Sequence, residues 1–418
     1  METEYQKIYY ESDNYSIRYY IVWFILILPA LISQLNGFSS SYENSALIAE
    51  EGSLSGKLLY IFLFCICVFF IWRYKLKIFW SIKVYFFIAF LFLGILYSDY
   101  PNMVIRGIFV AVTSLMLWNI LAQILLFDLD LKRLLNSIPV FFLLWGLLEL
   151  VLWGINPKDY YDYGFMANYM GYFFQPNLLA KLLCIGIIFK FFGIHYDKKS
   201  INNFIQISIL FLLLYFTGSR TSFASLLIAI FVVQIFNSDL KIISKLKYAV
   251  GILLLLVIFY FLYRNFFIKH NVNGILYGST LSFREKLWSD LLPLMLHNFL
   301  VGAGLNSFWN ADLFYNFNLD VSGIHNGYLQ VFQDIGLIGF SLLLIITIQI
   351  IKSIKTKIED NQFLIFRYSL ITSWIYFFIV NLTEGDLGNY RSSLWAILMT
   401  ISLVWYYLIK EYNTTQSL

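Results

Sequence analysis

Charge is what this chain has least of. Asp, Glu, Lys and Arg make up 13% of its 418 residues, while 60% are hydrophobic and the mean hydropathy is +0.72. That balance excludes an ordinary soluble globular domain. Cysteine is scarce too: Cys65, Cys67 and Cys184 all lie inside apolar runs, which argues against a disulfide framework or a thiolate metal site. No small-residue cleavage site follows the first apolar run, so a removable signal peptide is not expected. Zinc-ligand spacing, a P-loop, a dinucleotide fingerprint and an internal repeat are all missing, and the basic residues form no nucleic-acid patch.

What the chain does have is a succession of apolar runs of about 17 to 25 residues, the length that crosses a bilayer as a helix. Twelve are expected, at roughly 18–35, 57–72, 79–97, 103–127, 134–154, 178–194, 203–218, 221–236, 247–263, 326–351, 363–382 and 392–409. The fold class is therefore an all-α polytopic membrane protein with about 12 transmembrane helices, a single integral membrane domain over 1–418.

Charge distribution orients it. With both termini cytoplasmic, 19 of the 29 Lys and Arg residues fall on the cytoplasmic side and 10 outside, the expected bias. Lysine splits 15 to 5, but arginine splits 4 to 5, the outer ones being Arg106, Arg220, Arg264, Arg284 and Arg391. Guanidinium grips phosphate through a planar fork, so arginines placed against the topological bias suggest an anionic ligand at the outer face.

One outer loop is long, 264–325. Within it SFREKLWSDLLPLML, residues 282–296, carries a capping-box pattern at Ser282 and Glu285 and an apolar face of Phe283, Leu287, Leu291 and Leu294. It predicts a short amphipathic helix on the membrane surface. Arg284 sits in its first turn, where a cation is ill placed unless an anion joins it. Arg220, in the tight connection FTGSRTSF, lies at the outer end of two spans, and Arg106 follows YSDYP at the start of another. Each arginine is also open to a plainer reading as an interfacial anchor.

The stretch SGIHNGYLQVFQDIGLIG, residues 322–339, is unusually polar for a span. Asn326, Gln330 and Asp334 recur every four residues with Gln333 beside them, and His325 precedes the stripe. Asp334 would lie about 13 Å deeper than His325 at the helical rise. Two readings stand: a cap and a helix–helix partner, or the mouth and wall of a wet cavity. Pro176 and Asn177 of FFQPNLLA suit a helix start. Glu149 falls within a span, and Glu384 with Asp386 lies in the last outer loop, where a solvated pair is expected ahead of the alternative, a buried or pocket-facing carboxylate.

In that order, TGSRTSF, SFREKLW, VGAGLNSFW and HNGYLQVFQDIGLIG resemble the O-antigen polymerase and O-antigen ligase superfamily, with YSDYPNMVIRG and GYFFQPNLLA extending the likeness. The resemblance implies a multi-pass protein of the bacterial inner membrane that transfers glycan from an undecaprenyl pyrophosphate carrier at the periplasmic face. It implies that Arg220 and Arg284 hold the pyrophosphate and that His325 acts on the acceptor hydroxyl. Arg106, Asn326, Asn177 and Asp334 join them as candidate substrate contacts. Neither a metal nor a cofactor is expected. Partners would be the lipid-linked glycan, membrane lipids and, as a further candidate, a chain-length regulator; nucleic acid would not be one. The polymerase reaction is the leading expectation, with a ligase acting on lipid A core and a lipid-linked oligosaccharide transporter as alternatives.

Overall fold

The computed structural model describes residues 15–37, 54–76, 78, 81–127, 129–155, 176–196, 201–236, 288–289, 291–293, 295–307, 325–354 and 360–416. Every regular element described is a helix: α1 (Tyr15–Gly37), α2 (Leu54–Tyr74), α3 (Ile82–Tyr97), α4 (Pro101–Leu126), α5 (Leu131–Ile155), α6 (Pro176–Tyr196), α7 (Ile201–Phe216), α8 (Arg220–Phe236), α9 (Gly327–Ser353), α10 (Asn361–Val380) and α11 (Ser393–Gln416). They coincide with eleven of the twelve expected spans; the other, 247–263, lies outside the described residues. Seven of the eleven are long and apolar enough to cross a membrane by length and composition, and α1, α3, α7 and α8 contain shorter apolar stretches.

Burial sorts the helices into a centre and a rim. α4, α6, α10 and α11 are mostly buried; α5 packs along α6, α8 along α10 and α11 along α4. α2 turns Leu58, Phe62, Phe69 and Trp72 outward, and α3 does the same with Phe86, Leu93 and Leu96. So large an exposed apolar surface would drive aggregation in water, but it is the solvated state against lipid tails. Apolar contact gives helices little preference for one another there, so specific bonds matter more. The Trp23 indole donates to Ser137 Oγ (2.9 Å), Trp374 to Ser402 Oγ (3.0 Å), and Asn119 Nδ2 to Tyr407 OH (3.0 Å), each joining two helices.

The most consequential local feature is a break in α9. At Gly336 the backbone leaves the helix (φ 61°, ψ −170°), which removes the helical bonds that Leu337 and Ile338 would give to Gln333 and Asp334. The segment before the turn VGAGLNS fills the gap from both sides. Leu337 and Ile338 donate instead to the carbonyls of Phe299 (2.9 Å) and Leu300 (3.0 Å), while Ala303 and Gly304 donate to the carbonyls of Gln333 (2.8 Å) and Asp334 (3.0 Å). Four backbone groups that cannot stay unpaired in an apolar slab are thus satisfied by one inserted turn. The two segments meet so closely at Gly302 (φ 74°) and Gly336 that a Cβ on either would collide with the other's backbone.

Tyr97 OH donates to the Val301 carbonyl (2.7 Å), and Gly107 of α4 faces Leu305 and Asn306, so the turn is also pinned to the corner between α3 and α4. Residues 288–297 are helical where described, with Leu291 and Met295 buried and Leu292 and Leu296 exposed. This part of the expected amphipathic helix is present; its start at 282–287 lies outside the described residues.

Gly302→Ala or Gly336→Ala adds the left-handed penalty of about 1–2 kcal/mol to a backbone collision, so either variant should lose folded protein in a detergent thermal-shift and membrane-abundance assay. Gly154→Ala on α5, where a Cβ meets nothing within 4 Å, should leave both unchanged.

Candidate functional site

The polar stripe is answered mainly by the 381–392 loop. Asn326 caps α9, its Oδ1 accepting from the Tyr328 and Leu329 N–H groups at 3.0 and 3.1 Å. The helix begins at Gly327, as the sequence suggested. Asn326 Nδ2 donates to the Leu382 carbonyl (3.2 Å), and the Gly327 N–H to the Asn381 carbonyl (2.9 Å). Deeper along the same face, Gln330 meets Gly385 and Val331 meets Gly388. Asp334 is buried beside the inserted turn; its Oδ1 has no hydrogen-bond partner among the described residues.

His325 stands immediately before the cap, half-buried, with its backbone in the left-handed region (φ 51°). That conformation costs an L-residue about 1–2 kcal/mol and persists only where the surroundings enforce it. The two residues that follow it are held, Asn326 and Gly327 being bonded to the 381–382 segment and leading into the capped helix.

Beneath that loop lies a buried ionic cluster that corrects one expectation. Glu384 and Asp386 are not solvated; they are 6% and 4% exposed. Lys181 of α6, 6% exposed, places its Nζ 2.7 Å from Asp386 Oδ2 and 3.9 Å from Glu384 Oε2. Ser392 Oγ donates to Asp386 Oδ1 (2.7 Å), and Asn177 Nδ2 to Glu384 Oε1 (3.3 Å). Buried charge of this kind is costly unless paired and hydrogen-bonded, and here the ammonium faces both carboxylates.

Asn381, fully buried, ties the loop together: its Oδ1 accepts from the N–H groups of Asp386 (2.8 Å) and Leu387 (2.7 Å), and its Nδ2 donates to the Phe377 carbonyl (2.7 Å). Lower in the loop, Ser114 Oγ of α4 donates to the Tyr390 carbonyl (3.0 Å). Burial, helped by the nearby Asp334, pushes the Tyr390 phenol well above its ordinary range, so it stays neutral.

Arg220 opens α8 after a turn built on Gly218 (φ 65°), with Thr217 Oγ1 accepting from the Ser219 N–H (3.3 Å) and Ser219 Oγ donating to Ser222 Oγ (3.0 Å). Cys184 Sγ donates to the Ser222 carbonyl (3.7 Å), which sets the first turn of α8 against α6 just below Lys181. Arg220, Asn177, Asn326 and His325 thus share one end of the bundle, linked through α6 and the outer loop. Arg220 is exposed and Asn177 half-exposed. Arg106 is exposed on the first turns of α4, one residue before the Gly107 contact with the inserted turn. Arg284 lies outside the described residues.

Sequence reasoning missed Lys181 and Asn381. A signal for Lys181 existed: a lysine five residues into the apolar helix start PNLLAKLLCIGII is an intramembrane charge and implies a carboxylate partner.

Comparison with known proteins adds one match. Residues 206–344 match a family model described as O-Antigen ligase, in agreement with the resemblance to the O-antigen polymerase and ligase superfamily. The matched segment runs from within α7 through the first two thirds of α9 and includes Arg220, Arg284 and His325. No curated protein matches the chain.

Asn381→Ala removes the acceptor of two buried N–H groups, those of Asp386 and Leu387, at about 1–3 kcal/mol for each group left unsatisfied. It should lower the melting temperature of the purified protein more than Asn326→Ala, whose cap loss is about 1 kcal/mol.

Proposed function

With the O-antigen polymerase and ligase superfamily as premise, we propose that this protein is a polysaccharide polymerase. It transfers a growing glycan from its undecaprenyl pyrophosphate carrier to the next lipid-linked repeat unit. The observation that carries the reading is His325: an imidazole on an enforced left-handed backbone at one end of the bundle, within the segment that matches the family.

In the proposed reaction the acceptor sugar hydroxyl attacks the anomeric carbon of the donor glycan. The bond from that carbon to the pyrophosphate oxygen breaks, and the hydroxyl proton passes to His325. A sugar hydroxyl is a poor nucleophile at neutral pH, and a neutral imidazole is suited to take its proton as the new bond forms. Negative charge gathers on the departing pyrophosphate. Guanidinium groups fixed beside it, from Arg220 and Arg284, would stabilise the transition state more than the ground state. Direct displacement inverts the anomeric centre, and the scheme uses no metal.

Asn177 and Arg106 are assigned to substrate at the open end. Asn326 and Asp334 serve more indirectly, Asn326 by fixing the backbone at His325 and Asp334 as a polar group behind the inserted turn. The site faces the periplasm of the inner membrane with both termini in the cytoplasm, the orientation that the lysine distribution supports. The ligase reaction is the second reading, favoured by the description of the matching family.

Purified protein given lipid-linked repeat units alone distinguishes the two. Longer lipid-linked chains are expected; silence until a lipid A core acceptor is added would assign the ligase reaction instead. His325→Ala should reduce transfer by about 10²–10⁴-fold, the usual worth of a positioned base, at unchanged protein level. Normal chain-length ladders from that variant would remove His325 from the chemistry. Arg220→Lys keeps the charge but loses the fork, and should lower kcat/KM by roughly tenfold.

A further inference from the structure

We propose that Lys181 is a positioning residue for His325, acting through Asp386, the 381–387 turn and the first turn of α9. This rests on the reading of His325 as the base, and it assigns a task to a buried cation that the reaction itself does not use.

The argument is a chain of short bonds. Lys181 Nζ holds Asp386 Oδ2 at 2.7 Å, and Ser392 Oγ holds the other oxygen at 2.7 Å, so the carboxylate is fixed from two sides. The Asp386 N–H and the next one, from Leu387, both end on Asn381 Oδ1. The Asn381 carbonyl takes the Gly327 N–H (2.9 Å), and Leu382 takes Asn326 Nδ2 (3.2 Å). Those are the two residues that follow His325. A Cβ on Gly327 would collide with the Asn381 side chain, and Leu387 lies just beyond, so the contact has no slack to absorb a shift of the loop.

The cluster holds two carboxylates and one ammonium, all nearly without solvent. Without Lys181, Asp386 would retain only Ser392 as its side-chain partner, beside Glu384 and with no counter-charge from α6. The turn would then move to find water. Because the left-handed backbone of His325 is a strained state held by its surroundings, relaxation of the turn would release it. Misplacing a base by about 1 Å can cost on the order of 100-fold in rate. Asn177, bonded to Glu384, would shift with the cluster, whereas the donor phosphates, assigned to Arg220 and Arg284, would be little affected.

The test uses the full chain in detergent or proteoliposomes. Diethyl pyrocarbonate labelling of each of the four histidines, read by mass spectrometry, reports the setting of His325 without requiring activity, with exposed His297 as the internal reference. In Lys181→Met, the His325 rate relative to His297 should change by about threefold or more, as expected for local release of a held segment. With lipid-linked repeat units, kcat should fall by about 100-fold while the donor KM stays near that of the wild type. Lys181→Arg, which keeps the ion pair, should restore most of both.

Lys181→Met may be compared with Lys181→Met/Asp386→Leu, which removes both partners and avoids leaving Asp386 unpaired. The double variant should accumulate better than the single one yet stay slow. Unchanged His325 labelling in Lys181→Met, or wild-type kcat in the double variant, overturns the proposal and leaves the cluster a purely structural role. If the wild type transfers no glycan to either acceptor, the functional reading fails, while the labelling still decides whether Lys181 positions His325.

Discussion

A polypeptide inside a bilayer has no water to fall back on, so each backbone N–H and C=O must find a partner within the protein. The break at Gly336 puts that constraint at the centre of this fold. Once the helix leaves its path, four groups lose their partners, and the only remedy at that depth is another piece of chain with the complementary edge. The 299–304 segment supplies it with two carbonyls and two amides in register. The long outer loop must therefore return to the body of the protein at one fixed place, and everything attached to that segment inherits the constraint. This includes the helical residues described between 288 and 297, which precede it, and the contact with α4 that follows it.

A second descending segment meets α9 on a neighbouring face. Residues 381–392 connect α10 to α11, but they do more than connect: Asn381, Leu382, Gly385 and Gly388 run down α9 from its cap to its second turn, and the Tyr390 carbonyl reaches α4. Two outer segments thus use the same half-helix as a template. The 299–304 turn fixes its deep end at the break, and the 381–392 turn fixes its open end at the cap. A ten-residue half-helix held at both ends is a stiff mount, and His325 sits on its tip.

Much of the fold was legible because a bilayer enforces a simple code of length and apolarity, and eleven of twelve expected spans coincide with helices. The cap at Asn326 and the helix start at Pro176 were legible for local reasons, since both depend on residues within one turn. The break at Gly336 was not. Gly-rich runs such as VGAG and DIGLIG are individually tolerable in a span, and only their mutual contact shows why two glycines, 34 positions apart, are needed together. The ionic cluster escaped for a related reason. Glu384 and Asp386 look like loop residues, and Lys181 looks like one more outer cation, until α6 is known to pass beneath that loop. Pairwise burial of charge is a property of the packing, and sequence distance hides it.

The polar stripe on α9 shows how function and scaffold divide the same residues. Asn326 is spent on capping, Gln330 faces a glycine of the outer loop, and Asp334 lies behind the inserted turn. What they secure is the direction in which α9 begins, and so the place of the one residue ahead of it. An imidazole on a flexible outer loop would sample many orientations, and each would have to be lost again as the transition state formed. Setting it on a capped half-helix transfers that ordering cost to folding, where the apolar surface of eleven helices can offset it. In the proposed reaction the carrier lipid would then need only to bring its phosphates to the same end of the bundle, where Arg220 stands exposed at the head of α8.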